Sequence, residues 1–178
     1  MTIAIPEPSL VVLIGPSGAG KSTFAAKHFR PTEVVSSDEC RALVSDDENN
    51  QAATPAAFRV LHTIVRERLR AHRATVVDAT NVKPSSRKPL IATARRYGVP
   101  VIGIVFDLPL ELCLDRNAAR PRRVRPAVVG RQIAELARDI DRLDVEGLSP
   151  VHVLRSADEV ERATVEIAKG PVVRAPSS

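Results

Sequence analysis

Apolar positions along the chain follow two alternating rhythms: short continuous runs, and stripes spaced by three and four. The runs Leu10–Ile14, Glu33–Ser36, Thr75–Asp78, Val101–Asp107 and Val151–Leu154 read as strands. Continuous runs of this kind arise when helices cover both faces of a parallel sheet. The stripes between them read as helices. Thr54-Pro55 is placed as N-cap and first helical residue, followed by Phe58, Leu61, Val65 and Leu69 on one side. Ser85 or Ser86 is placed to cap a helix that ends near Tyr97, with Gly98 in the left-handed closing position. From Pro126, residues Val129, Ile133, Leu136, Ile140 and Leu143 form a long amphipathic stripe that stops near Gly147. A last helix is expected from about Ala157 to Lys169, and "GPVVRAPSS" reads as a tail or linker. No internal repeat is evident. The alternation predicts a doubly wound α/β domain.

Length and composition narrow this reading without changing it. A chain of 178 residues is one domain of ordinary size, able to bury about 70% of its unfolded surface. Hydrophobic content of 44% and charged content of 26% are globular values. No apolar run approaches a bilayer span. "MTIAIPEPSL" has no basic segment and is interrupted by two prolines, which argues against a secretion signal. A cytoplasmic location is therefore expected. Cys40 and Cys113 have neither metal-ligand spacing nor the number of a disulfide scaffold, and read as small buried filler. The net charge of +5 suits an anionic partner, although 21 Arg against 5 Lys also reads as compositional bias. With aromatics at 3%, a surface that stacks successive bases is hard to build.

The chemistry enters with "LVVLIGPSGAGKST". The spacing from Gly15 to Gly20-Lys21-Ser22 is that of a loop whose backbone N–H groups cradle phosphate oxygens. An apolar strand precedes it and a helix-competent segment follows, so the context is right. In this reading Gly15, Ser17, Gly18, Ala19, Gly20 and Thr23 form the nucleotide cradle. Lys21 reaches the β and γ oxygens of ATP, and Ser22 ligates Mg²⁺. Asp78, ending a strand in "VVDATN", serves either the Mg²⁺ or the following turn.

Two segments are candidates for the acceptor side. In "VVSSDECR", Asp38 is placed to accept a proton from an attacking hydroxyl, and Arg41 to share its helix face and grip an anion. The plainer alternative has Ser37 and Asp38 capping a helix while Arg41 sits in solvent. In "DRNAARPRRVRPAVVGR", Arg116, Arg120 and Arg123 fall at spacings of four and three, interrupted by Pro121. That segment reads as an Arg-rich flap, able to close over a triphosphate and neutralise charge.

With these motifs in order, the chain resembles the kinase module of bacterial polynucleotide kinase-phosphatase, an RNA end-healing enzyme among the 5′-hydroxyl polynucleotide kinases. The resemblance rests on "GPSGAGKST", "SSDECR", "TVVDATNVKPSSRKPLIATARRYGVP" and "DLPLELCLDRNAARPRRVR", and covers nearly the whole chain. It implies a mostly parallel five-stranded P-loop kinase sheet, phosphate-loop strand central, helices on both faces, and an Arg-rich lid at about 115–131. It implies ATP and Mg²⁺ at Lys21 and Ser22, and Asp38 as general base toward a polynucleotide 5′-hydroxyl. Arg41 then holds the neighbouring phosphate, and Arg116, Arg120 and Arg123 are lid contacts. Residues 1–170 would form the kinase domain and 171–178 a tail or linker. The phosphatase and ligase modules that accompany such kinases are not in this chain, so it reads as an excised module or a free-standing relative. Two other readings stand beside this one: a small-metabolite or nucleoside kinase, and a non-catalytic nucleotide-dependent switch.

Overall fold

The computed structural model describes residues 1–120 and 123–169. The expected tail and the interruption at Pro121 lie outside the described residues. The strands are β1 (Thr2–Glu7), β2 (Leu10–Ile14), β3 (Val34–Ser36), β4 (Thr75–Asp78), β5 (Val101–Phe106), β6 (Val151–Leu154) and β7 (Thr164–Lys169). The α-helices are α1 (Lys21–His28), α2 (Ser37–Ser45), α3 (Thr54–Arg70), α4 (Pro84–Arg96), α5 (Leu110–Ala118), α6 (Pro126–Asp139), α7 (Leu143–Glu146) and α8 (Ala157–Arg162).

Five strands form one sheet in the order β3-β4-β2-β5-β6, every neighbouring pair parallel. The strand leading into the phosphate loop is central, so the C-terminal ends of β3, β4, β2 and β5 open on one crevice. Alternation along β2 explains its unbroken apolar run. Leu10, Val12 and Ile14 enter one core with α3, α4 and α7, while Val11 and Leu13 enter the other with α1 and α5. Three of the five expected strands match their observed bounds. The other two are a residue shorter, because Glu33 closes a 3₁₀ turn and Asp107 leaves the sheet.

Several local expectations are corrected. Thr54 is not an N-cap. A 3₁₀ turn at Gln51–Ala53, capped by the Asn50 side chain, runs directly into α3, and Thr54 is its first residue. Pro84 opens α4 after Lys83, so the N-cap falls two or three residues before the position expected at Ser85 or Ser86. The helix does close at Tyr97 and Gly98, where Gly98 has φ +65°. The long stripe from Pro126 is α6, a 3₁₀ turn and α7, ending at Gly147 with φ +114°.

The largest correction concerns the last segment. α8 stops at Arg162, and Thr164–Lys169 is a strand that pairs in parallel with β1, from Thr2↔Thr164 to Glu7↔Lys169. This two-stranded ribbon buries Ile3 and Ile5 against the core that also holds Phe24 and Phe106. No described helix is long and apolar enough to cross a membrane.

Candidate active site

The phosphate loop turns sharply between β2 and α1. Gly18 and Gly20 have φ +85° and +91°, a region L side chains rarely enter. The Gly15 N–H donates to Thr80 O at 2.9 Å, which ties the loop to the segment after β4. Lys21 is buried, and its Nζ donates to Gly15 O at 2.9 Å and Pro16 O at 2.8 Å. Burial pushes its ammonium down to about 8, and the negative charge of Asp78 opposes that shift most strongly. Asp38 also opposes it, while Arg120 adds to it. Asp38, Asp78 and Arg120 thus all lie within electrostatic reach of one ammonium.

The acceptor-side segment departs from its plainer alternative on both counts. Ser36, not Ser37 or Asp38, caps α2: its Oγ accepts the N–H groups of Asp38 and Glu39 at 3.3 and 3.4 Å. Arg41 is buried rather than solvated. Its Nη1 donates to Asp38 Oδ1 at 2.6 Å and to Glu48 O at 3.0 Å, and its Nε to Thr54 Oγ1 at 3.4 Å. The register Ser36↔Asp78 sets the start of α2 beside the end of β4.

Asp78 is buried at the end of β4, and Ser22 is exposed in the first turn of α1. Among the described residues, no group of three or more His, Cys, Asp or Glu could hold a metal alone. A hydroxyl and a carboxylate beside a phosphate cradle fit Mg²⁺, which is held by few protein groups together with substrate phosphates.

Arg116 lies in the last turn of α5, its Nη1 3.4 Å from where a Gly20 Cβ would sit. A cleft of about 360 Å³ beside the loop is lined by Gly18, Gly20, Thr23, Arg116, Arg120 and Val160 among others. Arg123 is exposed and does not line it. α5 ends at Ala118, so Arg120 and Arg123 lie beyond the helix. A larger cleft of about 500 Å³, lined by Glu7, Lys27, His28 and Glu33, contains no phosphate-loop residue. Cys40 and Cys113 are buried free thiols, and burial pushes both above the usual range, which suits filler rather than nucleophiles.

Four supporting residues escaped the sequence reading. Asn81, at φ +49°, donates through Nδ2 to Leu13 O at 2.8 Å. Arg87, fully buried, donates to Asn81 O and Val82 O and grips Glu146 with Nε and Nη2 at 2.8 and 2.6 Å. Asn117 exchanges two hydrogen bonds with the Val124 backbone, closing the connection from α5 toward α6. Gln132 Oε1 accepts the Ser17 N–H at 2.8 Å.

Comparison with known proteins bears on the fold that carries this geometry. The family described as "AAA domain" matches residues 10–143. A chain of the Pnkp1/Rnl/Hen1 RNA repair complex is 22% identical with a TM-score of 0.67, over 78% of this chain and 47% of that one. A gluconokinase from Sinorhizobium meliloti 1021 is 17% identical with a TM-score of 0.54, over 88% of this chain and 87% of that one. At such identities these likenesses establish the fold. The curated relative "Transcription factor bHLH140" of Arabidopsis thaliana is 28% identical over 94% of this chain, which spans 18% of that protein.

Proposed function

The chain belongs to the AAA-domain family and has the P-loop kinase fold, and from that premise we propose that it transfers the γ-phosphoryl group of ATP to the 5′-hydroxyl end of a polynucleotide. The observation that carries this reading is the Asp38–Arg41 pair at the start of α2, within electrostatic reach of Lys21. Switches and motors need no carboxylate for an acceptor hydroxyl. A kinase does.

In this mechanism the loop from Gly15 to Thr23 holds the triphosphate, and Lys21 exchanges its two loop carbonyls for β and γ oxygens. Ser22 and Asp78 would hold Mg²⁺, which would neutralise phosphate charge when bound. Asp38 accepts the proton of the attacking hydroxyl, while Arg41 orients Asp38 and offers positive charge to the acceptor's neighbouring phosphate. Arg116 and Arg120, which line the cleft beside the loop, neutralise charge on the triphosphate, with Arg123 as a further lid contact. Such transfer needs positioning and charge neutralisation more than covalent help. An Arg-rich, aromatic-poor surface suits an acceptor held by its backbone rather than read by its bases. Residues 1–170 then act as the kinase unit.

The test is a labelled-ATP panel of 5′-hydroxyl oligonucleotides, sugar acids and nucleosides. Label on the oligonucleotides alone is expected. Label on a metabolite with bare oligonucleotides would replace this reading with that of a small-molecule kinase, the class of the gluconokinase that matches along most of both chains.

A further inference from the structure

α6 presents three polar side chains at 132, 135 and 139, a spacing that sets them on one face. Gln132 meets the phosphate loop, and the other two meet α4 at its N-cap and first turns. Gln132 Oε1 accepts the Ser17 N–H at 2.8 Å, Glu135 Oε1 pairs with Lys83 Nζ at 3.4 Å, and Asp139 Oδ2 lies 3.6 Å from Arg87 Nη2. A neighbouring row carries Val129, Ile133 and Leu136 into the cores, continued by Ile140 in the following 3₁₀ turn. The hydrophobic row fixes how α6 sits on the sheet. The polar row links it to the two segments that end around the phosphate seat.

The Gln132 contact has the most direct consequence. Only the carboxamide oxygen can take a backbone N–H, so its orientation is fixed by chemistry. Ser17 sits in the first half of the phosphate loop, next to Pro16, whose carbonyl receives Lys21, and to Gly18, which packs on the Cys113 carbonyl of α5. α6 itself begins immediately after the segment that carries Arg116, Arg120 and Arg123. One side chain therefore spans the loop that seats the triphosphate and the helix that anchors the lid.

We propose that Gln132 is a positioning residue for phosphoryl transfer, pinning the phosphate loop at Ser17 to α6, which Asn117 links to α5, so that the loop and Arg116 keep a fixed separation. This rests on the kinase reading above. Misplacing charge-neutralising groups by an ångström costs rate far more than affinity. Lys21 and the remaining loop amides keep their own contacts without Gln132, so the loss falls on the chemical step.

Two variants of the full chain test this. Gln132→Ala should lower kcat about tenfold, the scale of one lost hydrogen bond, with KM for ATP little changed. Gln132→Glu retains an oxygen for the Ser17 N–H, so it should recover kcat at saturating ATP. Its new charge beside the triphosphate should raise KM for ATP. A separate readout needs no acceptor: without nucleotide, the Ser17 amide resonance should shift upfield in Gln132→Ala while that of Gly98 stays. The proposal is overturned by an unmoved Ser17 resonance, by kcat of Gln132→Ala within about twofold of wild type, or by equal loss of kcat in both variants. A wild-type chain that labels no acceptor would sink the kinase reading alone. Transfer to water and the Ser17 resonance would then judge the coupling.

Discussion

Arg41 donates to Asp38 across 2.6 Å, and the two partners are unequally exposed: the Arg41 side chain is 6% accessible, that of Asp38 50%. The cation is held from behind by the Glu48 carbonyl and the Thr54 hydroxyl. The carboxylate is thus carried by a fixed support and faces outward, as a group that receives protons from a passing substrate should. Charge-assisted bonds of this length are also the stronger kind, which limits the angles Asp38 can sample.

Asp38→Asn should therefore lower phosphoryl transfer by about 10² to 10⁴ while nucleotide affinity stays within a few-fold. Asparagine keeps an oxygen for Arg41, so the buried guanidinium is not stranded. Asp38 is also the weakest of the charges acting on Lys21, so the nucleotide seat changes little. Single-turnover transfer and equilibrium nucleotide binding measure the two halves. Transfer that survives would remove Asp38 from the reaction.

Lys21 gives a pH prediction. Its ammonium titrates near 8 in the folded chain, and phosphate oxygens favour its charged form. ATP affinity should be flat below pH 8 and fall about tenfold per unit above it, until the pKa of the bound state is reached. Calorimetry at pH 9 in buffers of different ionisation enthalpy should show close to one proton taken up. For stability the sign is opposite. The unfolded chain holds this proton up to about 10.4, so Lys21 disfavours folding fully below pH 8, and that cost shrinks as pH rises through the window. Lys21→Met should abolish the pH dependence of binding; an unchanged slope would refute the assignment.

Gly18→Ala tests the contact between loop and lid helix. A Cβ there would run into the Cys113 carbonyl, which belongs to α5 backbone and cannot swing aside, and the φ of +85° is itself strained for alanine. The expected outcome is loss of nucleotide binding together with a lower Tm. Gly98→Ala is the control, because it shares a positive φ but meets nothing within 4 Å. It should cost about 1 kcal/mol and leave binding intact. Equal effects of the two variants would mean that backbone strain alone, not the α5 contact, explains Gly18.

What the sequence disclosed follows the range of the interactions concerned. Buried parallel strands betray themselves locally as continuous apolar runs, and the phosphate loop does so through glycines at fixed spacing. β7 did not, because "ATVEIAK" follows a helix with no break residue and finds its partner at the other terminus, in the pairing Thr2↔Thr164. The proline in β1 hid that partner in turn, although Pro6 is tolerated in a two-stranded ribbon, where one edge needs no donor. The same division holds at the site. Lys21 stands out within the glycine-spaced loop, and Asp38 and Arg41 within "SSDECR", because each belongs to a short local segment. Gln132 and Arg87 do not stand out, since each acts on backbone or charge groups far away in sequence: Ser17 for one, Glu146 for the other.

Arg87 is the residue on which the segment after β4 depends. Its guanidinium is fully buried and serves four oxygens at 2.6 to 2.9 Å: the carbonyls of Asn81 and Val82 and both carboxylate oxygens of Glu146. Asn81 in turn holds Leu13, and Thr80 holds Gly15, so the buried cation steadies the path between Asp78 and the phosphate loop. Arg87→Met fills similar volume but strands the Glu146 carboxylate and two carbonyls, and should destabilise by about 3–5 kcal/mol in denaturant unfolding. Pairing it with Glu146→Gln removes the more closely held of the two stranded charges, Asp139 being the other. The double variant should regain part of that loss, since a broken buried pair costs more than its absence. Recovery of stability without recovery of ATP turnover would separate the two roles: Glu146 answers for the charge balance, and the carbonyl contacts to Asn81 and Val82 answer for the posture of Asp78. Additive losses in the double variant would show instead that the carboxylate is not the group Arg87 neutralises.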